Sequence, residues 1–131
     1  MNKLEKRIIE LSYKHGLTHL SSCLTSVNVI DKIYQVKEKT DPFILSNGHA
    51  ALALYVVLEK WEGKDAEKLL EKHGTHPNRD LEDGIYCSTG SLGMGITVAV
   101  GMALADRKNK VYVLMSDGEC AEGAVWEALQ V

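Results

Sequence analysis

The stretch KVYVLMSDGECAEG, residues 110 to 123, sets a carboxylate and a glycine at the end of a continuous apolar run. Val111 to Met115 predicts a parallel strand covered on both faces. Such a strand delivers Asp117 to its carboxyl end, the edge of an α/β sheet where ligands sit. Asp117 could hold a hard divalent cation, and Gly118 could turn the backbone tightly while leaving its amide free for phosphate oxygens. Magnesium suits that pairing, because it takes one or two protein carboxylates and fills its shell with phosphate and water. The same Asp-Gly step also reads as an ordinary turn at a strand end.

A second group is STGSLGMG, residues 88 to 95, opening an uncharged helix. Glycines near a helix start bring backbone amides close to a phosphate or an aromatic ring. The spacing is not the dinucleotide GxGxxG, and no Walker lysine follows. Gly93, Gly95 and Gly101 serve close helix packing equally well, since both uses depend on the missing side chain. Three histidines, His19, His49 and His76, lie at loop ends beside turn residues. Active-site groups concentrate there, and imidazoles can relay protons near neutrality. No pair of them has the spacing of a helical zinc site. His15 and His73 read as surface residues at helix ends.

The elements that must position these groups follow from periodicity. Asn2 can cap a helix with Leu4, Ile8, Ile9 and Leu11 on one face, stopped at Gly16. A second helix is predicted from about Ser26 to Val36, and Phe43 to Leu45 reads as a short buried strand. Asn47-Gly48 turns the chain into a third helix from His49 to about Lys60, and Lys64 to Lys72 forms a charged surface helix. Gly74 to Tyr86 is polar and turn-rich. A final helix is predicted to begin near Ala121. The alternation of helix and short apolar strand predicts an α/β layer fold. It contains only two visible strands, so the expectation is a helix-rich, partial doubly wound parallel sheet that is incomplete.

Composition narrows the function. The chain has 131 residues, 45% hydrophobic and 25% charged, with a net charge of −3 and the two signs interleaved. A nucleic-acid footprint would need a basic stripe, and an anionic membrane surface would attract a polybasic run. Neither is present, so neither partner is expected. Cys23, Cys87 and Cys120 are far apart and odd in number, which suits free thiols in a reducing cytoplasm.

Taken in order, SNGHAALALY (Ser46 to Tyr55), TGSLGMGITVAVGMALA (Thr89 to Ala105) and SDGECAEGAVWEAL (Ser116 to Leu129) resemble three successive motifs of the transketolase family. The resemblance is weak before Phe43 and strong from there on. It implies a thiamine diphosphate-binding fold, thiamine diphosphate itself, and Mg2+ or Ca2+. It implies Asp117 as metal ligand, Gly118 as a diphosphate contact, and Gly90, Leu92 and Gly93 as the segment holding the cofactor. It implies His19, His49 and His76 as histidines lining the thiazolium and sugar channel, and Glu122 as a glutamate near a dimer interface that links two cofactors. Glu119, after the Asp-Gly pair, has no role implied.

The sequence departs from the family at THLSS where a GHPG-like stretch is usual, at Ser116 for glycine and at Ser91 for proline. The family's metal motif continues to an asparagine beyond Val131, and its pyrimidine-binding domain has no counterpart here. Residues 1–131 are therefore expected to be the amino-terminal portion of a thiamine diphosphate-binding domain, similar to an amino-terminal transketolase subunit. The expected partners are a second copy or a complementary transketolase chain, with sugar phosphates as substrates of the complete enzyme. Two alternatives stand beside this: a noncatalytic, self-associating remnant of the fold, and a fragment of a deoxyxylulose phosphate synthase-like enzyme.

Overall fold

Helix α1, Lys3–His15, begins on a capping box, in which the Asn2 side chain accepts the Glu5 amide while the Glu5 carboxylate accepts the Asn2 amide. It ends where Gly16 adopts a left-handed conformation with φ of 60°. The structure is a computed structural model that describes all of residues 1–131. The chain divides into two units, one made of residues 1–36 and 49–75, the other of residues 37–48 and 76–131.

The first unit is helical. After α1 come α2 (Leu20–Val36), α3 (Ala51–Glu62) and α4 (Ala66–His73). Ile8 and Leu11 of α1 and Val27 and Ile30 of α2 are fully buried, as their spacing predicts. Helix α3 is packed by α1, α2 and α4, and Ala51 through Leu58 are all buried, in keeping with a segment apolar on every side. Asp65 caps α4 by accepting the amides of Glu67 and Lys68.

Two expectations are corrected here. Helix α2 starts at Leu20, not Ser26, with Thr25 Oγ1 donating back to the Ser21 carbonyl inside the helix, so its serine-rich first turns are helical. His73 is not a surface residue. It is buried with its ring 6.3 Å from that of Tyr55, whose hydroxyl donates to the Gly74 carbonyl. Burial raises the Tyr55 pKa well above that of a free phenol.

The second unit carries the sheet. Strands β1 (Phe43–Leu45) and β2 (Tyr112–Leu114) pair in parallel, with Phe43 opposite Tyr112 and Leu45 opposite Leu114. At their amino ends the buried Asp41 carboxylate accepts the amides of Glu38 and Lys110, joining the two chain segments that enter the sheet. β1 is buried at every residue. β2 is only half-buried, which corrects the expectation that it is covered on both faces. Helix α5 (Met94–Ala105) packs on both strands and on α6 (Gly123–Leu129). α5 lacks charge entirely, yet only Gly95 and Ala99 are buried along it. No helix is long and apolar enough to cross a membrane.

Candidate functional site

In the second unit both strands open at their carboxyl ends onto one place. β1 runs into Ser46-Asn47-Gly48, and the Ser46 amide donates to the Leu114 carbonyl at 2.9 Å, which extends the ladder one step past β1. β2 runs into Ser116-Asp117-Gly118 and a 3₁₀ turn over Gly118–Ala121. The glycine-rich segment lies across these ends. A Cβ on Gly48 would stand 2.6 Å from the Thr89 carbonyl carbon, and one on Gly93 would stand 2.9 Å from Glu122 Cβ. Gly90 and Gly93 have φ of 151° and 83°, a region that glycine enters without strain. The close-packing use expected of the helix glycines holds for Gly93 and Gly95, but not for Gly101, where a Cβ would meet nothing within 4 Å.

Asp117 is exposed, and its side chain caps no backbone amide. Gly118 has no left-handed φ, and a Cβ there would meet nothing within 4 Å. The expectation that Gly118 is needed to turn the chain is thus replaced by a different finding: its glycine leaves open space beside the carboxylate. Two oxygens of the neighbouring segments, Asn47 Oδ1 and Thr89 Oγ1, are buried without a hydrogen-bond partner, a state usually resolved by water or a ligand. A hard oxygen donor, an open backbone beside it and unmatched polar atoms around the glycine cradle fit a diphosphate held through a divalent cation.

His76 stands over the cradle, since a Cβ on Gly90 would lie 2.9 Å from its ring. Its loop is fixed by the Thr89 amide donating to the Pro77 carbonyl at 3.2 Å and by the Arg79 amide donating to Ser88 Oγ at 2.7 Å. Leu92 and Glu122 are exposed. In the first unit His19 and His49 come together, with ring centroids 5.1 Å apart and planes tilted by 46°. His19 is the one residue other than glycine with a positive φ, 61°, and its carbonyl accepts the Cys23 amide at the start of α2.

The sequence reading missed Glu119. It is completely buried, and its carboxylate accepts the Ser46 hydroxyl, the Gly93 amide at 2.7 Å and the Ser116 amide at 3.3 Å. The signal available was a charged residue inside a motif otherwise made of small and apolar types, which is buried only when paired. All three cysteines are free thiols. Burial pushes the Cys87 pKa up, with Arg79 opposing it, so this thiol near the cradle is not poised as a thiolate nucleophile.

Residues 27–131 match the family model described as transketolase, thiamine diphosphate-binding domain. The chain belongs to the transketolase family. Among curated transketolase relatives it is 37% identical to an apulose-4-phosphate transketolase subunit of Phocaeicola vulgatus, across 96% of this chain and 52% of that one. It is 35% identical to a 6-deoxy-6-sulfo-D-fructose transketolase subunit of Clostridium sp., across 97% of this chain and 54% of that one. Human transketolase is 31% identical across 98% of this chain and 24% of its own. The chain thus spans about half the length of the transketolase subunits it matches. Its helix-rich architecture with a two-stranded parallel sheet is a partial α/β fold of the thiamine diphosphate-binding type.

Proposed function

We propose that this chain forms the diphosphate-binding wall of a transketolase whose pyrimidine-binding domain lies outside residues 1–131. One observation carries the reading: the exposed, uncommitted carboxylate of Asp117 stands beside the open backbone of Gly118 at the carboxyl ends of two parallel strands. Asp117 would ligate Mg2+ or Ca2+, Gly118 would receive a diphosphate oxygen, and Gly90, Leu92 and Gly93 would hold the cofactor through backbone and apolar contacts. When bound, thiamine diphosphate supplies the carbanion chemistry by which a two-carbon ketol unit passes from a ketose phosphate to an aldose phosphate. His76, over the cradle, would hydrogen-bond substrate hydroxyls and move their protons. The family resemblance supports the same role for His19 and His49.

Partner association is supported by apolar exposure. Met94 and Val98 of α5, with Leu92 before it, are about 40–50% exposed, and Trp126 and Leu129 of α6 about 60%. Apolar area of this kind marks an interface. A complementary transketolase chain is the partner proposed, since the two relatives of similar coverage are named as subunits. Glu122, exposed between α5 and α6 in sequence, would face that partner. Free thiols throughout are in keeping with a cytoplasmic setting.

The test is calorimetric titration of the chain with thiamine diphosphate and MgCl2, repeated with Asp117→Asn. Saturable, metal-dependent binding that disappears in the variant supports a cofactor wall. A folded, associated chain that binds nothing would favour the second reading, a noncatalytic, self-associating fold; the same exposed apolar face supports it.

A further inference from the structure

Glu119 Oε1 takes the Ser46 hydroxyl and the Gly93 amide, while Oε2 takes the Ser116 amide and the Glu119 amide itself donates to Ser116 Oγ at 3.3 Å. These donors come from three separate segments. Ser46 follows β1, Gly93 immediately precedes α5, and Ser116 lies between β2 and Asp117. A carboxylate accepts at both oxygens and has room for all three, and buried polar groups persist where every member is satisfied. The residue is completely buried, so water does not compete for these donors.

We infer that Glu119 is a positioning residue for the cofactor wall, fixing the Gly90–Gly93 cradle against the Asp117-Gly118 step by holding Gly93, Ser46 and Ser116 on one carboxylate. The inference rests on the cofactor reading above, and the geometry explains why one side chain can serve it. Gly93 and Asp117 lie far apart in the chain, and each belongs to a backbone segment that would meet the diphosphate from its own side. Gly93 begins α5 with a left-handed φ of 83°, and its amide donates to the Glu119 carboxylate at 2.7 Å. The Glu119 bond is what orients that amide.

A glutamine has the same shape and accepts at one oxygen only. In Glu119→Gln either the Gly93 or the Ser116 amide must therefore face an NH2 group, and one of them loses its acceptor. The experiment is amide hydrogen exchange by NMR on the full chain without cofactor, alongside calorimetry with thiamine diphosphate and MgCl2. In the wild type the Gly93 amide is expected to be protected. In Glu119→Gln, exchange at Gly93 or Ser116 should rise by about tenfold or more, with Tyr112 and the core of α3 unchanged. Cofactor affinity should fall by about tenfold or more in parallel. Gly101→Ala, at an exposed position of α5 where a Cβ would meet nothing within 4 Å, should keep the wild-type protection of Gly93 and stay near wild-type affinity. A Gly93 amide that exchanges freely in the wild type would overturn the inference even if Glu119→Gln fails to fold. So would local exchange that rises while affinity is unchanged. A wild type that binds no cofactor would instead sink the cofactor reading, and the exchange data would still report whether the carboxylate holds the three segments.

Discussion

Gly95 of α5 lies directly against Ser46 at the end of β1: a Cβ on Gly95 would stand 2.6 Å from Ser46 Cβ and 2.7 Å from its Cα, and closer still to the hydroxyl. The absence of a side chain is what lets the helix sit on the strand end. Gly95→Ala is therefore expected to destabilise the chain by about 1–3 kcal/mol, the usual cost of overpacking. Gly101, in the same helix, has nothing within 4 Å of where its Cβ would be. Gly101→Ala is expected to stabilise by about 0.5–1 kcal/mol through helix propensity. Urea unfolding of both variants checks the pair, and equal shifts in one direction would contradict the packing.

Asp117→Asn removes the charge and leaves an exposed position otherwise intact. Unfolding midpoint and circular dichroism should match the wild type. Magnesium-dependent binding of thiamine diphosphate should weaken by at least roughly 100-fold, beyond what loss of an outer-sphere partner usually costs. Titration with and without MgCl2 separates the metal's contribution, and a variant that still binds in a magnesium-dependent way would exclude Asp117 as the ligand.

Asn2 caps α1 and also donates from Nδ2 to Asn28 Oδ1, while Asn28 Nδ2 donates to the Glu5 carboxylate. One side chain thus starts α1 and ties it to α2. Asn2→Ala should lower stability by about 1 kcal/mol or slightly more, the range for a lost N-cap. Thermal melts monitored at the helical band read this directly.

Acid should act on the Asp31 cluster. Burial alone would raise the Asp31 pKa, but hydrogen bonds from Lys60 Nζ and the Trp61 indole outweigh it and leave the carboxyl below its ordinary value. A lowered folded-state pKa gives stability that is present above the unfolded value and lost as pH falls through the folded one. That window lies below about pH 4, the ordinary range for aspartate. The Trp61 indole NH resonance should shift there, and Asp31→Asn should flatten the stability loss between about pH 4 and pH 2. A variant with the wild-type acid slope would remove Asp31 as its source.

Much of the fold was legible because local chemistry decided it. Asn2 and Gly16 mark the ends of α1 by their own side-chain and backbone preferences. Phe43 to Leu45 and the run before Asp117 could hardly be anything but short strands. His73 was misread because its helix end looks solvated in one dimension, and only packing beside Tyr55 makes it buried. Leu20 to Thr25 was misread because serine-rich helix starts look like loops.

By itself the sequence determined the element order, the Asp117-Gly118 step at a strand end, the glycine cradle and the family. These depend on residue type and short spacing, which the chain states directly. Tertiary structure alone decided which distant residues meet. It set His19 against His49, tied the sheet's entry through Asp41, and gathered Ser46, Gly93 and Ser116 on Glu119. A buried carboxylate takes its role from donors brought to it by folding, and donors separated by long stretches of chain leave no local pattern to read.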